Sequence, residues 1–362
     1  MYIVEEETEV NTLPKTQSER EGMDGKDINF IVLAVDSPHF GVEKKGYQLD
    51  VCGKPMIEWV ENACATAPTI KRVPLKFDLL KEIKPLLNDA TWTVVLFSDT
   101  PLLTRKTVEN AFMIAEQKGL NVLKLTRGYV FNTEYISRVE EIFGTETYYL
   151  EEEDFIIATN FKQLSIVRDI MRGRICDYFM RNGVDIVDPS SAFIDANVSV
   201  GKNTVIMPFV KLLGKVQIGE NCIIKSGSVL EDCVVAKSVI IENSQVKNSV
   251  LGEGVVVENS VMEDVVLKGE LSVVKNNSCL TKCLFKGAVF ADGVTLKNVK
   301  SEGRLTAKTG AVVLSETGSV RFFGNNVLGV GAKILKPVSI GENVRLGDGE
   351  NVVKDLPAVK ID

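Results

Sequence analysis

From residue 200 onward, apolar residues return every six positions. Val200, Ile206, Leu212, Ile218, Ile224 and Leu230 step by sixes, each followed four residues later by Thr204, Val210, Val216, Cys222, Ser228 and Val234. The stretch "IGENCI" at 218–223 shows the unit: an inward apolar residue, a glycine or polar pair for the corner, and a small residue for the next layer. The step returns at Leu284, Phe290 and Leu296, and again at Leu328, Ile334, Ile340, Leu346 and Val352. An amphipathic helix repeats about every 3.6 residues and a half-buried strand every two, so neither produces a six. A sustained period of six is the signature of a parallel β-helix, each hexapeptide forming one side of a prism-like coil. Between 246 and 278 the register slips, and loops or irregular coils are expected to interrupt the solenoid there.

The first half follows a different pattern. Residues 1–27 carry eight acids against three bases, with Pro14, Gly22 and Gly25, which reads as a mobile polar tail. "INFIVLAV" at 28–35 suits a buried strand, and "PMIEWVENACATA" at 55–67 has helical apolar spacing. "WTVVLF" at 92–97 is a second buried strand; it runs through "SDTPLL" into a helix, "RKTVENAFMIAEQKG", closed by Gly119. "NVLKL" at 121–125 offers a third strand. Strands alternating with helices predict a mainly parallel α/β layer. Residues 160–183 read as one amphipathic helix ending at Gly183, a bridge between domains. The expected organisation is a tail at 1–27, a Rossmann-like α/β domain at 28–158, a linker helix at 159–183 and a β-helix at 184–362.

Bulk properties narrow the function classes. A net charge of −7 argues against nucleic acid, whose phosphates need a basic face. No apolar run approaches the roughly 18 residues needed to span a bilayer. The opening "MYIVEEETEV" has acids where a signal peptide needs bases. Seven cysteines, an odd number spread over both halves, suit free or buried thiols in a reducing cytoplasm. Cys279 and Cys283 form a close pair without a local histidine or further cysteine, a poor zinc site. Cys222 and Cys233 fall at repeat positions and read as packing residues.

The stretch "IVLAVDSPHFG" at 31–41, with "VCGKPMIEWV" at 51–60 behind it, reads as strand, loop and helix start. That is where a nucleotide-binding α/β domain carries its phosphate loop. Here the loop holds Asp36, Pro38, the chain's one histidine, His39, and a single glycine. It reads either as a remodelled nucleotide or metal site or, the simpler reading, as a polar surface loop. Lys44, Lys45 and Lys54 could meet phosphates; solvated turn lysines are the plainer meaning. Asp99 could hold a hard cation or serve a turn. Arg168, Arg172 and Arg174 on the linker helix suggest interdomain or solvent contacts.

The order of parts resembles the bacterial N-acetylglucosamine-1-phosphate uridylyltransferase/glucosamine-1-phosphate acetyltransferase family, GlmU. The match is most specific at "LSIVRDIMRGRICDYFMRNGVDIVDPSSAFIDANVSVGKNTVIMP", residues 164–208, which is similar to the family's linker helix and first coils. "VCGKPMIEWV" resembles the family's "AGKPM" helix start, "FSDTPLLT" its "GDxPL" turn, and "GYVFNTEYI" at 128–136 the strand and helix closing its nucleotidyltransferase domain. The resemblance implies a left-handed coil, assembly as a homotrimer, a nucleotide-sugar or sugar-phosphate ligand, and Mg²⁺ held by Asp99 with Asn160 nearby. Alignment through Leu164 sets Thr159, rather than Asn160, opposite the family's second metal ligand. Lys44, Lys45 and Lys54 become the candidates for binding nucleotide phosphates.

The departures are as informative. The family's "LAAGxGTRM" loop is replaced by "LAVDSPHFG", and its lysine before "AGKPM" falls on Gly46, next to Lys44 and Lys45. Its uracil-reading motif has no counterpart, and the segment between Gly119 and Gly128 is much shorter. Residues 184–362 contain no histidine and no "NYDG", which excludes a histidine-based acetyl transfer. Two readings follow. One is a sugar-nucleotide transferase making a UDP-N-acetylglucosamine-type product, with no catalytic side chain assigned. The other is a non-catalytic structural or regulatory protein that assembles through its β-helix, and the altered loop leans towards it.

Overall fold

The computed structural model describes residues 23, 26–36, 40, 44–142, 145–147, 152–267 and 272–359. These fall into two compact units that divide between Met171 and Arg172.

The first unit is built on β1 (Ile28–Asp36), a strand buried along nearly its whole length. After it come a hairpin of β2 (Asp50–Val51) and β3 (Lys54–Pro55), helix α1 (Met56–Asn62), β4 (Thr69–Pro74) and α2 (Leu79–Ile83). Then follow β5 (Trp92–Phe97), α3 (Arg105–Gln117), β6 (Val122–Leu125), β7 (Gly128–Asn132), α4 (Thr133–Arg138) and β8 (Glu146–Thr147). Strand order in the sheet is β4-β1-β5-β7-β6-β8. The two partners of β1 are parallel to it, but β7 runs antiparallel to both β5 and β6. Five of the six strands thus run the same way, as the expected mainly parallel layer has it, and β7 alone makes the sheet mixed. The reason is local: only Thr126 and Arg127 separate β6 from β7, too few residues for a parallel crossover.

Alternation along β1 and β5 feeds two cores. Phe30, Val32, Val94 and Leu96 face α3, packing with Val108, Ala111, Phe112 and Ala115. Ile31, Leu33, Val35, Val95 and Phe97 face the other way, with Leu80 and Ile83 of α2. Met23, within the stretch read as a polar tail, is buried in the first of these cores. Thr104 caps α3 by accepting a hydrogen bond from the Thr107 N–H, and Gly119 ends it at φ +60°.

Helix α5 (Phe161–Arg181) leads into the second unit, a left-handed parallel β-helix. One face is a ten-stranded parallel ladder; the other two join into a single path. They merge through the long strands Leu284–Phe290 and Val299–Ala307. The register slips as expected while the ladders continue: sixteen-residue coils enter at Leu230, and the spacing then lengthens again, Val256 pairing with Val273 and Met262 with Leu280. Leu212 pairs with Leu230, eighteen residues on, whereas Leu230 pairs with Val246 and Val246 with Met262, each sixteen on. Two corners in each short coil lose one residue before the position of positive φ. These corners use Asp232 (φ 48°), Asn243 (φ 42°), Asn248 (φ 47°), Asn259 (φ 43°) and Asp264 (φ 55°). Asn and Asp tolerate this left-handed geometry better than other residues with a Cβ. The shortening also re-aims side chains. Val234 turns outward, 43% exposed, and Cys233 takes the buried layer position; Leu284 likewise yields to Phe285. The corner amides stack into a ladder, Asn243 donating to Asn259 (2.8 Å), Asn259 to Asn276 (2.5 Å) and Asn276 to Asp292 (3.0 Å).

If backbone geometry governs the short corner, Asn259→Val should lower stability by about 1–2 kcal/mol, the cost of a β-branched residue without asparagine's tolerance held at left-handed φ. Asn259→Gly should cost clearly less. Denaturant unfolding of both variants checks this; equal losses would mean that the amide ladder, not φ, sets the corner.

Candidate functional site

In open α/β sheets, ligands bind beyond the carboxyl ends of the strands. At that edge the chain places Asp36, which ends β1, and Ser98 and Asp99, which follow β5. Ser98 ties the two strands together. Its Oγ accepts from the Val35 N–H (2.9 Å), and its own N–H donates to the Leu33 carbonyl (3.0 Å).

Asp99 is buried, and both carboxylate oxygens are taken by Arg127: Nε donates to Oδ1 (3.1 Å) and an Nη to Oδ2 (2.7 Å). The guanidinium also lies over the Phe97 ring, 4.3 Å from its centroid. Gly128 makes this possible. It sits at φ +153° against β5, and a Cβ there would meet the Val95 carbonyl oxygen at 3.0 Å. The Asp99 carbonyl accepts from the Ala158 N–H (2.8 Å), bringing the segment before α5 to this edge. Asn160 spends its side chain on the start of that helix, its Oδ1 accepting from the Gln163 N–H and its Nδ2 donating to Gln163 Oε1, both at 3.0 Å. Thr159, which alignment sets opposite the second metal ligand, also donates to Gln163 Oε1, through its N–H (3.0 Å) and Oγ1 (2.8 Å).

The three lysines are dispersed. Lys45 lies 2.6 Å from Asp36, and this hydrogen-bonded carboxylate raises its pKa. Lys44 is exposed beside it. Lys54 belongs to the β2–β3 hairpin and rests over the Trp59 ring, 5.3 Å from the centroid. Burial lowers its pKa, with Glu58 opposing in part. Of the loop at 36–41, Asp36 and Phe40 are described; His39 lies outside the described residues. Phe40 packs edge-on against Phe161. Arg168 donates two hydrogen bonds to the Asp50 carbonyl (2.9 and 2.7 Å), and Arg172 lies over Phe193.

A divalent ion of the Mg²⁺ type needs oxygen ligands with free lone pairs in near-octahedral array. With Asp99 held by Arg127 and Asn160 capping a helix, the donor set as arranged does not fit one. Among the described residues no group of three or more His, Cys, Asp or Glu is placed to hold a metal. Arg127 was missed in the sequence reading. Its one signal is a lone charge in the two-residue link "TR" between two apolar strands.

In the second unit, an open groove of about 640 Å³ is lined by Arg304, Thr306, Asn325, Asn343 and Arg345 among others. It offers hydrogen-bond donors and no titratable base, which agrees with the lack of histidine throughout 184–362.

Fold and edge together define a hexapeptide-repeat β-helix protein of the transferase type, preceded by an α/β unit. Residues 197–232 match the family model described as bacterial transferase hexapeptide (six repeats). The bifunctional protein GlmU of Listeria monocytogenes serotype 4a is 25% identical over 354 positions, 87% of this chain and 74% of that relative. That of Caldanaerobacter subterraneus is 39% identical over 103 residues, 28% of this chain and 22% of the relative. GlmU of Clostridioides difficile is 26% identical over 214, 41% of this chain and 47% of the relative. Against some of these relatives the chain thus matches only about a fifth to a half of their length. The chain is a divergent GlmU-like protein.

The opposite shifts of two lysines can be read directly. Amine labelling followed by mass spectrometry should modify Lys54 at lower pH than Lys225, whose pKa the Glu242 carboxylate raises. The neutral amine is the reactive form, so the lowered group must label first. The same order measured after denaturation would discount the folded environment as the cause.

Proposed function

We propose that the chain is a sugar-nucleotide transferase of the GlmU class, joining a sugar 1-phosphate to a nucleoside triphosphate, with N-acetylglucosamine 1-phosphate and UTP as the first pair to test. The observation that carries this reading is the match running through both units in order, from the α/β edge with Asp99 into the coils. In the reaction a phosphate oxygen of the sugar 1-phosphate attacks the α-phosphorus of the triphosphate in line. A new P–O bond forms, the α–β bridge bond breaks, and pyrophosphate leaves with the electron pair. Catalysis of this kind is mostly positioning and charge stabilisation. Lys44 and Lys45 beside the end of β1, and Lys54 on the hairpin, are the candidate phosphate contacts. Mg²⁺ is the cofactor that the resemblance brings with it, but Arg127 holds both carboxylate oxygens of Asp99.

A non-catalytic descendant is the second reading, and the Arg127 grip on Asp99 together with the glycine-poor loop favours it. Pyrophosphate release by the purified chain decides between the two. Release above background with UTP and N-acetylglucosamine 1-phosphate, reduced at least about tenfold by Lys45→Ala, is the expected result. No release with any nucleoside triphosphate and sugar phosphate would sink the transferase reading.

Assembly as a homotrimer through the β-helix belongs to the same proposal, as does a cytoplasmic location. Val234, Val250 and Leu284 are in register on one outer face, the second and last joined through Val266, and are 43%, 39% and 42% exposed. A column of outward apolar side chains in successive coils suits burial against another copy. Light scattering should give three chains per particle, and Val234→Lys with Val250→Lys should lower that mass. A monomeric wild-type chain at micromolar concentration would overturn the trimer. None of the seven cysteines forms a disulfide, which fits a reducing compartment. No helix among the described residues is long and apolar enough to cross a membrane.

A further inference from the structure

The Asp99–Arg127 pair is built too deliberately to be an ordinary surface ion pair. The Asp99 side chain is 4% exposed and that of Arg127 27%, so the acid forms the buried side of the pair and the arginine the outer side. Three features fix the guanidinium: the two-point fork on Asp99, the Phe97 ring beneath it, and the turn at Gly128 that brings the chain against β5. Planar, two-point recognition of a carboxylate is specific to arginine; lysine could supply only a point charge.

We propose that Arg127 is the resident cation of this strand edge: it stands on Asp99 where a divalent ion would otherwise sit, and it presents its outer N–H groups to the phosphate of a phosphate monoester, so that binding there needs no metal. A guanidinium has five N–H donors. Two go to Asp99, which leaves three for phosphate oxygens. Asp99 then acts as a positioning residue for Arg127 and not as a ligand-binding group itself.

The exchange alters the charge balance. A carboxylate with a divalent ion carries a net +1, whereas a carboxylate with arginine is neutral. Lys45 adds no net charge at this edge, since Asp36 neutralises it. The edge is therefore suited to a phosphate monoester, whose modest charge can be met by directed hydrogen bonds. The triphosphate of the transferase reading carries a more concentrated charge and falls to the lysines at the end of β1 and on the hairpin, not to this pair. The inference rests on the transferase reading only in taking a sugar phosphate as the monoester. Its metal half stands independently of turnover.

The test uses the full chain and two probes. Mn²⁺ alone is titrated and followed by electron paramagnetic resonance, on the wild type, Asp99→Asn, Arg127→Gln and Arg127→Gln with Asp99→Asn. The wild type should bind Mn²⁺ no better than Asp99→Asn. Arg127→Gln should bind at least tenfold more tightly than the wild type, and the double variant should lose that gain. Wild-type Mn²⁺ binding that Asp99→Asn weakens would overturn the proposal, as would a folded Arg127→Gln with no gain. If circular dichroism shows Arg127→Gln unfolded, Arg127→Lys takes its place, with a smaller gain expected on the same argument. N-acetylglucosamine 1-phosphate is the second probe, titrated by calorimetry. Its affinity should agree within about twofold between EDTA and Mg²⁺ and fall at least tenfold in the Arg127 variant. Loss of binding in EDTA, or no binding in either buffer, would overturn the phosphate half. Absence of pyrophosphate release would remove the transferase reading while leaving the Mn²⁺ result to decide the role of Arg127.

Discussion

The parallel pairing of β1 with β5 is the contact on which the first unit depends. It runs in register from Ile28 opposite Trp92 to Leu33 opposite Phe97, and both faces of the pair are buried. Two strands with apolar residues at nearly every position cannot leave either face to water, so helices must cover both. The same pairing delivers Asp36 and Asp99 to one edge, where no further strand continues the ladder. Ser98 reinforces that edge by binding back to β1 on both sides of its own peptide. Thus the interaction that creates the core also gathers the polar residues of the candidate site.

The second unit rests on a different constraint. A coil must return each side chain to a position above its equivalent in the previous coil, whatever the number of residues between them. Eighteen- and sixteen-residue coils both satisfy this, because a corner can drop one residue if the next accepts positive φ. Asn and Asp supply that tolerance here, and the asparagine amides then hydrogen-bond from coil to coil. What looked like a broken period in the sequence is in part a second period, of sixteen from Leu230 to Met262, before eighteen returns at Leu280.

Chemistry at the sheet edge is governed by the charges that reach it. Phosphate needs donors and positive potential, and a glycine-rich loop ordinarily provides the first through its backbone. Here Asp36 and Lys45 neutralise each other, and Asp99 and Arg127 do likewise. The frame of a phosphate site persists with its charges internally balanced. That is a weaker attractor for a triphosphate than the motif it resembles, and it leaves Arg127 as the group whose geometry is most closely controlled.

Much of the fold was legible because it depends on short-range pattern. The period of six determined the β-helix, the unbroken apolar runs determined β1 and β5, and the lack of histidine after residue 183 excludes a histidine-based acetyl transfer. Asp99 and the lysines could be named as candidates from local motifs, but not their partners. Lys45 meets Asp36 across nine residues and Arg127 meets Asp99 across twenty-eight, and such distances are closed only by the sheet. The antiparallel turn that places Arg127 over Phe97 has no periodic signature, since two residues carry no period. Sequence alone determined which residues could be buried and how the chain could coil. Tertiary structure decided which charges would meet, because electrostatic partners are chosen by distance in space, and pattern along the chain does not encode that distance.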